Sequence, residues 1–375
     1  MTGPAARKPT LGAVDLTATI AERGTDLRLQ VRPGEVVAVL GANGAGKSTL
    51  LSLLSGLLHP DTGRITLDGQ VLVDTATGEW VPPHRRKVVL LAQQALLFPH
   101  LTAAANVAFG PRSQGAGRRA AQQAADTWLA AVDATEFADR KPAQLSGGQA
   151  QRIAIARALA ADPALLLLDE PMAALDVAVA PALRHLLRRV LRDTRRTALL
   201  VTHDLIDALS LADRVVVVEA GRIVEDGATG TVLSQPRSAF TARIAGIDLI
   251  AGVSDGRHLV TDDGTRIAGL FDPACRPGDP VVAVFRPSAV AVHLTEPTGS
   301  PRNHLPVTIT ELEPRGEIVR LHTAPFPGAG GLLADVTVAA AADLELQPGD
   351  RVFAAIKATE ITIYPGLGVT DTAVS

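Results

Sequence analysis

Between residues 11 and 40 apolar and polar positions alternate, as at Leu27, Leu29 and Val31, before a turn at Pro33-Gly34; the pattern predicts a β-rich opening. Glu35 to Leu40 then reads as a short buried strand. The period changes at Lys47 to Leu58, where Leu50, Leu51, Leu54, Leu57 and Leu58 fall on one broad helical face. A turn at Pro60 to Gly63 leads into a hairpin strand, Arg64 to Gly69, and a further strand spans Lys87 to Ala92. From Pro99 to about Ala160 the chain reads as helices, the longest Ala116 to Val132 with Trp128 on its core side, followed by Ala150 to Ala160. Leu165 to Leu168 and Thr197 to Val201 are buried strands on either side of a helix reaching about Arg192. Val215 to Val218 and Arg222 to Glu225 form a hairpin about Ala220-Gly221. Beyond Phe240 the runs are short, β-type and broken by glycine and proline.

Between the strand 35–40 and the helix from Lys47 lies Gly41-Ala42-Asn43-Gly44-Ala45-Gly46-Lys47-Ser48-Thr49, which satisfies G-x-x-x-x-G-K-[ST] at every fixed position. Glycines let the backbone N–H groups turn inward around phosphate oxygens, and the helix start adds unpaired donors and a positive dipole end. Lys47 is expected to reach the terminal phosphates and Ser48 to ligate Mg2+.

Two later strand ends add carboxylates and an imidazole. The apolar run Leu165–Leu168 ends at Asp169-Glu170, placing Asp169 to hold Mg2+ and Glu170 to polarise an attacking water. The strand 197–201 ends at Thr202-His203, so His203 is expected on the same side of the sheet. Leu145-Ser146-Gly147-Gly148-Gln149 precedes a helix and reads as a second anion-binding helix start.

Composition bounds the reading. A chain of 375 residues with 47% hydrophobic content can bury two or three domains' worth of core. The net charge of -3 gives no support for a nucleic-acid partner. One cysteine, Cys275, excludes an intramolecular disulfide framework and fits a reducing compartment. Residues 1–10 read as a frayed tail, since no apolar run follows Arg7 and Lys8. No stretch approaches about 18 uninterrupted apolar residues, so a membrane role would require a partner protein.

Gly41 to Thr49, Gln93, Leu145 to Gln149, Asp169-Glu170, Ala174 to Asp176 and His203, in that order, resemble the nucleotide-binding subunits of ATP-binding cassette (ABC) transporters. The resemblance spans about residues 11–238. It implies an α/β P-loop ATPase domain, with a helical subdomain at about 99–160, that uses ATP and Mg2+. Glu170, His203 and Gln93 are its catalytic positions, and Gln93 joins Ser48 and Asp169 as a metal ligand. It further implies a head-to-tail homodimer in which Ser146, Gly147, Gly148 and Gln149 of one chain, with Asp176, complete the site holding ATP on Lys47 of the other. Permease subunits in the membrane and an extracytoplasmic substrate-binding protein would be partners, placing the chain peripherally on the cytoplasmic face of the cell membrane. Pro82 to Lys87 and Gln93 to Leu101 look like the molybdate importer ATPases. Two departures stand out. No aromatic residue except Trp80 precedes Phe98, so the ring that stacks on adenine in the family is absent and weak discrimination of adenine is expected. Ala92 stands before Gln93 where a phenylalanine is common.

The C-terminal part, 239–375, contains an internal repeat. Pro277-Gly278-Asp279-Pro280-Val281-Val282-Ala283-Val284-Phe285-Arg286 recurs 71 residues on as Pro348-Gly349-Asp350-Arg351-Val352-Phe353-Ala354-Ala355-Ile356-Lys357. Two related β-units, about 245–294 and 301–366, packed as small OB-type barrels, are the expected product. The second resembles the oxyanion-binding MOP/TOBE-type module of molybdate importer ATPases at Arg302-Asn303 and Ile356 to Glu360, with Arg302 and Lys357 as candidate oxyanion contacts. The run Ala339 to Ala342 stands where that module often has a serine, which leaves a structural or regulatory barrel open as the alternative.

The combined expectation is an ATPase subunit powering import of molybdate or a similar tetrahedral oxyanion such as tungstate. A sulfate, ferric-iron or polyamine importer is the alternative within the class. A soluble ABC ATPase of translation or DNA repair would bring two cassettes or a coiled-coil insertion, and this chain has neither. An oxyanion store would need no ATPase motifs.

Overall fold

Alternation over Val14–Ile20 (β1) and Thr25–Val31 (β2) buries one face of a hairpin whose register pairs Leu16 with Leu29 and Ala18 with Leu27. A computed structural model describes residues 13–368 except 174 and 176–178, and the chain divides into two units that part after Thr229. The expected tail, 1–10, lies outside the described residues, as does Asp176.

In the first unit, Val36–Leu40 (β3) leads to helix Lys47–Ser55 (α1). Strands Thr62–Leu67 (β4), Gln70–Asp74 (β5) and Glu79–Trp80 (β6) extend the first hairpin into a sheet of order β2-β1-β4-β5-β6. Val88–Leu91 (β7) is followed by helices Ala103–Ser113 (α2), Arg118–Ala131 (α3) and Gly147–Ala160 (α4). Then come Leu165–Asp169 (β8), Ala180–Thr194 (α5), Ala198–Val201 (β9), Leu205–Leu211 (α6), and the hairpin Arg214–Glu219 (β10) and Arg222–Ala228 (β11). The second sheet runs β11-β10-β3-β9-β8-β7, parallel apart from β11.

The four-leucine run is explained by that sheet. Leu166 and Leu168 pack into one core with α2 to α5, whereas Leu165 and Leu167 face the other core, shared with α1 and the antiparallel sheet. A strand buried on both faces has no polar side to alternate with.

The first helix is shorter than its leucine pattern predicts. Gly56 takes φ 82 and closes the helix after Ser55, so Leu57 is 66% exposed, while Leu53 joins the core. The buried end of α1 is capped by Arg86, whose side chain is only 1% exposed. Its Nη1 donates to the Leu53 and Leu54 carbonyls at 2.7 and 3.2 Å, and its Nε to Val81 O at 2.6 Å. Burial pulls this guanidinium down to about 10. Arg86→Ala would take the side-chain donor from the Leu54 and Val81 carbonyls, leave Leu53 O with the Gly56 N–H alone, and open a void, so a loss of about 3 kcal/mol is expected in urea unfolding. Arg86→Lys should recover only part of it, because one ammonium cannot reach both ends of the fork. A midpoint unchanged in Arg86→Ala would remove the cap from the account.

The division falls after the first residue of helix Thr229–Ser234 (α7); the second unit continues with helix Ala239–Ala245 (α8), then strands Asp248–Ser254 (β12), Leu259–Val260 (β13), Arg266–Ile267 (β14) and Leu270–Phe271 (β15). Pro280–Phe285 (β16) and Ala291–His293 (β17) belong to the first repeat copy. Asn303–Arg315 (β18), Ile318–Thr323 (β19), Leu333–Thr337 (β20) and helix Val338–Asp343 (α9) precede the second copy, Arg351–Ile356 (β21) and Thr362–Pro365 (β22).

The repeat has a local cause. Asp279 accepts from the Arg276 N–H at 2.9 Å and Asp350 from the Gln347 N–H at 2.7 Å, closing the same turn in each copy. Its long-range consequence differs from two barrels side by side. β16 pairs with β22 and β17 with β21, both antiparallel, so each copy contributes one strand to each of the sheets β14-β13-β12-β16-β22-β15 and β17-β21-β18-β19-β20. The copies interlock around one core that includes Ala283, Phe285, Val352, Ala354 and Ile363.

Candidate active site

Four neighbouring parallel strands, β3, β9, β8 and β7, deliver the chemistry at one edge of the sheet. The register aligns Val39 with Val201, Asp169 with Val201, and Leu168 with Leu91. The loop from Gly41, the pair Asp169-Glu170, His203 and Gln93 therefore follow the carboxyl ends of adjacent strands, where open α/β sheets bind ligands.

In the loop, a Cβ at Gly41 would collide with the Val218 carbonyl, and Gly46 sits at φ 114 directly before α1. The Gly221 N–H donates to Ala45 O at 2.9 Å and pins the loop to the β10–β11 turn. Lys47 is 7% exposed, and its Nζ donates to the carbonyls of Gly41 and Ala42 at 2.7 and 2.9 Å. Burial lowers its proton affinity, and the charges of Glu170 and Asp169 oppose that shift. Lys47 is thus a cation held by its own loop and faced by two carboxylates. Ser48 and Thr49 continue into the first turn of α1.

Asp169 is pushed above the ordinary carboxylate range by burial and then by the adjacent Glu170, with Lys47 pulling the other way. Glu170 occupies the left-handed region at φ 44, anchored by its N–H to Val201 O at 2.9 Å. Its Oε1 lies 3.3 Å from Nδ1 of His203, a side chain that is 65% exposed. The strained backbone at Glu170 turns its carboxylate out of the strand toward that imidazole.

A network absent from the sequence reading holds the His203 segment. Asp207 is buried in the first turn of α6, where it accepts from Thr202 Oγ1 at 3.1 Å and from Arg184 of α5 at 2.6 Å. Arg184 also reaches Asp204 at 3.3 Å, and Asp204 caps α6 through the Ile206 N–H at 2.7 Å. An acidic residue early in a helix is ordinarily a solvated one, so no local signal marks Asp207 as buried.

The other expected residues fall as follows. Ser146 caps α4: its Oγ accepts from the Gln149 N–H at 3.3 Å while Gln149 Oε1 accepts from the Ser146 N–H at 3.0 Å. Gln149 is thereby committed to the capping box, and Gly147 is open to space on its Cβ side. Among the described residues no hydrogen bond joins Ser146–Gln149 to the loop Gly41–Thr49 of the same chain. Gln93 is exposed just past β7. A residue the sequence reading did not single out, Arg23, stands at the tip of the β1–β2 hairpin with its Nη1 3.3 Å from Thr49 Oγ1. The signal available was its place beside Gly24 in a turn, which by itself does not reveal the loop it reaches.

In the C-terminal unit, Asn303 pairs with Ile356, which sets Arg302 and Lys357 opposite each other at the end of the β18–β21 ladder, both exposed. Asn303 is buried and spends its amide on Ala268 and Ile356, at 2.7 to 3.1 Å, so it is a pin rather than a ligand contact. The alanine run 339–342 forms α9.

Residues 25–173 match the family model for the ABC transporter, and residues 299–363 that for the TOBE domain. The chain is 48% identical over 362 residues to the molybdenum import ATP-binding protein ModC of Mycobacterium tuberculosis, covering 95% of this chain and 98% of that one. It is 40% identical to a sulfate/thiosulfate import ATP-binding protein of Chromobacterium violaceum, covering 88% and 93%. It is 34% identical to the molybdate/tungstate import ATP-binding protein WtpC of Pyrococcus horikoshii, covering 91% and 95%. Among solved structures, the ATP-binding cassette MJ0796, a post-hydrolysis dimer bound to ADP and Pi, matches with a TM-score of 0.50 and 29% identity. That match covers 58% of this chain and 98% of the cassette. A phosphate loop, a carboxylate pair and an imidazole on adjoining strand ends, with relatedness along almost the whole chain, make this protein a member of the ABC transporter family, as one of its ATP-binding subunits.

Proposed function

We propose that the chain is the ATP-hydrolysing subunit of an importer for molybdate or a similar tetrahedral oxyanion such as tungstate, working as a homodimer on the cytoplasmic face of a membrane permease. The observation that carries the substrate is the 48% identity to a molybdenum import ATP-binding protein over nearly the full length of both chains. The observation that carries the chemistry is the convergence of Lys47, Asp169, Glu170 and His203 at one sheet edge.

In this reading the loop amides and Lys47 hold the nucleotide phosphates, Lys47 exchanging its bonds to Gly41 and Ala42 for phosphate oxygens. Ser48, Asp169 and Gln93 would hold Mg2+, which when bound would neutralise charge on the phosphates. The crowding of Asp169 by Glu170 fits a cation there. Glu170 takes a proton from water, and His203 fixes the carboxylate and contacts the terminal phosphate. Because Ser146 to Gln149 make no bond to their own loop, the second copy's signature, with its Asp176, closes each site.

No helix among the described residues is long and apolar enough to cross a membrane. Leu96 and Phe109 are exposed, with the Phe98 ring packed at a tilt against Phe109, 4.6 Å between centroids, and Arg157 clamps the segment by bonding the carbonyls of Ala95 and Leu96. This apolar patch, next to Gln93, is where we dock the permease; a binding protein outside the membrane would supply the anion. Arg302 and Lys357, two exposed cations across one ladder, are the proposed oxyanion contacts of the C-terminal unit.

Arg23 provides a group for the base where the aromatic ring is missing. Its planar guanidinium, set beside Thr49, can stack on adenine or guanine. Arg23→Ala should weaken ATP and GTP binding about threefold to tenfold and leave competition by tripolyphosphate unchanged. An equal loss for tripolyphosphate would make Arg23 a phosphate contact instead.

The substrate reading is tested by uptake in a strain lacking this chain. Labelled molybdate or tungstate should accumulate when the wild-type chain is restored and should not when Lys47→Ala is restored. Restored uptake of sulfate, ferric iron or a polyamine, with molybdate uptake unchanged, would move the chain to that importer class.

A further inference from the structure

The phosphate loop and the hairpin tip that offers Arg23 to the base are separate elements, and the turn between β10 and β11 joins them. Ala220 and Gly221 are the two residues of that turn, at φ 45 and φ 76, between the paired Glu219 and Arg222. Two positive angles define the tight turn that matches the twist of a hairpin, and Ala220 adopts its angle with strain that a glycine would not carry. Gly221 is buried.

The main chain of Gly221 faces both elements. Its N–H donates to Ala45 O in the phosphate loop at 2.9 Å, and its carbonyl accepts from the Asp26 N–H at 2.9 Å, just past the tip of the β1–β2 hairpin. That tip, Ala21–Arg23, is a single helical turn. A Cβ at Gly221 would lie 2.5 Å from Gly24 O and 2.8 Å from Thr25 Cα, so the tip packs on the glycine itself and leaves no room for a side chain. On the loop side, a Cβ at Gly46 would come within 3.4 Å of Gly221 Cα. A second pin holds the tip from the segment that follows α1. Asp61, an exposed residue, accepts through Oδ2 from the Ala21 N–H at 2.7 Å, and its own N–H donates to Thr19 O at 2.9 Å. Between the two pins the tip meets α1 directly, Arg23 Nη1 donating to Thr49 Oγ1 at 3.3 Å.

We propose that Gly221 and Asp61 are positioning residues for nucleotide recognition: they fix the hairpin tip to the phosphate loop, so that base and phosphates of one nucleotide are gripped at a set separation. This deepens the proposed role of the tip as the contact for the base and rests on it. Two contacts made to one ligand reinforce each other only when both are held in place before it arrives. A methyl group at Gly221 meets the tip and not the loop, so it should displace the base contact and spare the phosphate contacts. Neither positioning residue is assigned a contact of its own with the nucleotide, so the effect of each should vanish once Arg23 is gone.

The test is calorimetry on the full chain, titrated separately with a non-hydrolysable ATP analogue and with tripolyphosphate. Gly221→Ala should weaken the analogue about threefold to tenfold, as far as Arg23→Ala does, and change tripolyphosphate by less than about twofold. Asp61→Ala should show the same split, whereas Asp61→Asn, which keeps an acceptor for the Ala21 N–H, should bind as the wild type does. In an Arg23→Ala chain neither Gly221→Ala nor Asp61→Ala should add more than about twofold. Should Gly221→Ala fail to fold, the Asp61 pair of variants decides by the same readings. Equal weakening of tripolyphosphate, no weakening of the analogue in the folded variants, or losses that multiply with that of Arg23→Ala overturns the proposal. Undiminished affinity in Arg23→Ala alone would strike Arg23 as the base contact; a selective loss of the analogue in Gly221→Ala and Asp61→Ala would then still support the positioning role, and its absence would overturn it.

Discussion

Replacing Glu170 by glutamine should stop turnover by about a thousandfold while leaving ATP bound, within the range that a positioned general base contributes. The amide keeps the size of the side chain and can still orient a water, but it cannot take the proton. The expected effect is confined to hydrolysis because Glu170 meets His203 at 3.3 Å rather than the phosphate loop, whose Lys47 bonds are made to Gly41 and Ala42. Removing one of two neighbouring negative charges should also relieve Asp169, whose proton affinity Glu170 raises. Phosphate release and light scattering check this together: the Glu170→Gln chain should show no steady-state phosphate and a dimer that persists with ATP. Turnover within about tenfold of wild type would remove Glu170 from the base role.

Lys47→Ala should instead remove productive binding. Two charge-assisted hydrogen bonds to phosphate are worth about 3 kcal/mol together, or more than about a hundredfold in affinity. The carboxylates of Asp169 and Glu170 would then face the incoming phosphates without the cation that offsets them. A second arm of the same measurement addresses the shared site. Lys47→Ala chains mixed with Ser146→Arg chains should regain activity, because one of the two composite sites in the mixed dimer is intact. No recovery on mixing, with both variants folded, would place the whole site within one chain.

Much of this was legible in the residues, for reasons that are local. Phosphate binding requires glycine where a side chain would collide with Val218 or where φ is positive, so the loop is written in the sequence. The strand Leu165–Leu168 is apolar on both sides because it packs into two cores. The P-G-D turns recur because an aspartate accepts the N–H three residues back in each copy. What was not legible depends on distant partners. Arg86 looks like one of several basic residues in 84–87 until the carbonyls of Leu53 and Leu54 are set against it. Arg184 and Asp207 are 23 residues apart, and neither has a local pattern pointing to the other. The repeat gave two copies correctly but not their exchange of strands, which is decided by pairing across the copies at Ala283–Ile363 and Val292–Ala354.

The proposed function turns on one coupling, between ATP hydrolysis at Glu170 and movement of an oxyanion across a membrane. It is tested by purifying the transport complex through this chain, sealing it in vesicles with ATP and Mg2+ on the side of this subunit, and measuring molybdate transport toward that side. Transport is expected to need ATP, to rise with molybdate or tungstate presented on the opposite side, and to be lost in Glu170→Gln. Molybdate transport that proceeds equally without ATP, or equally in Glu170→Gln, would contradict it.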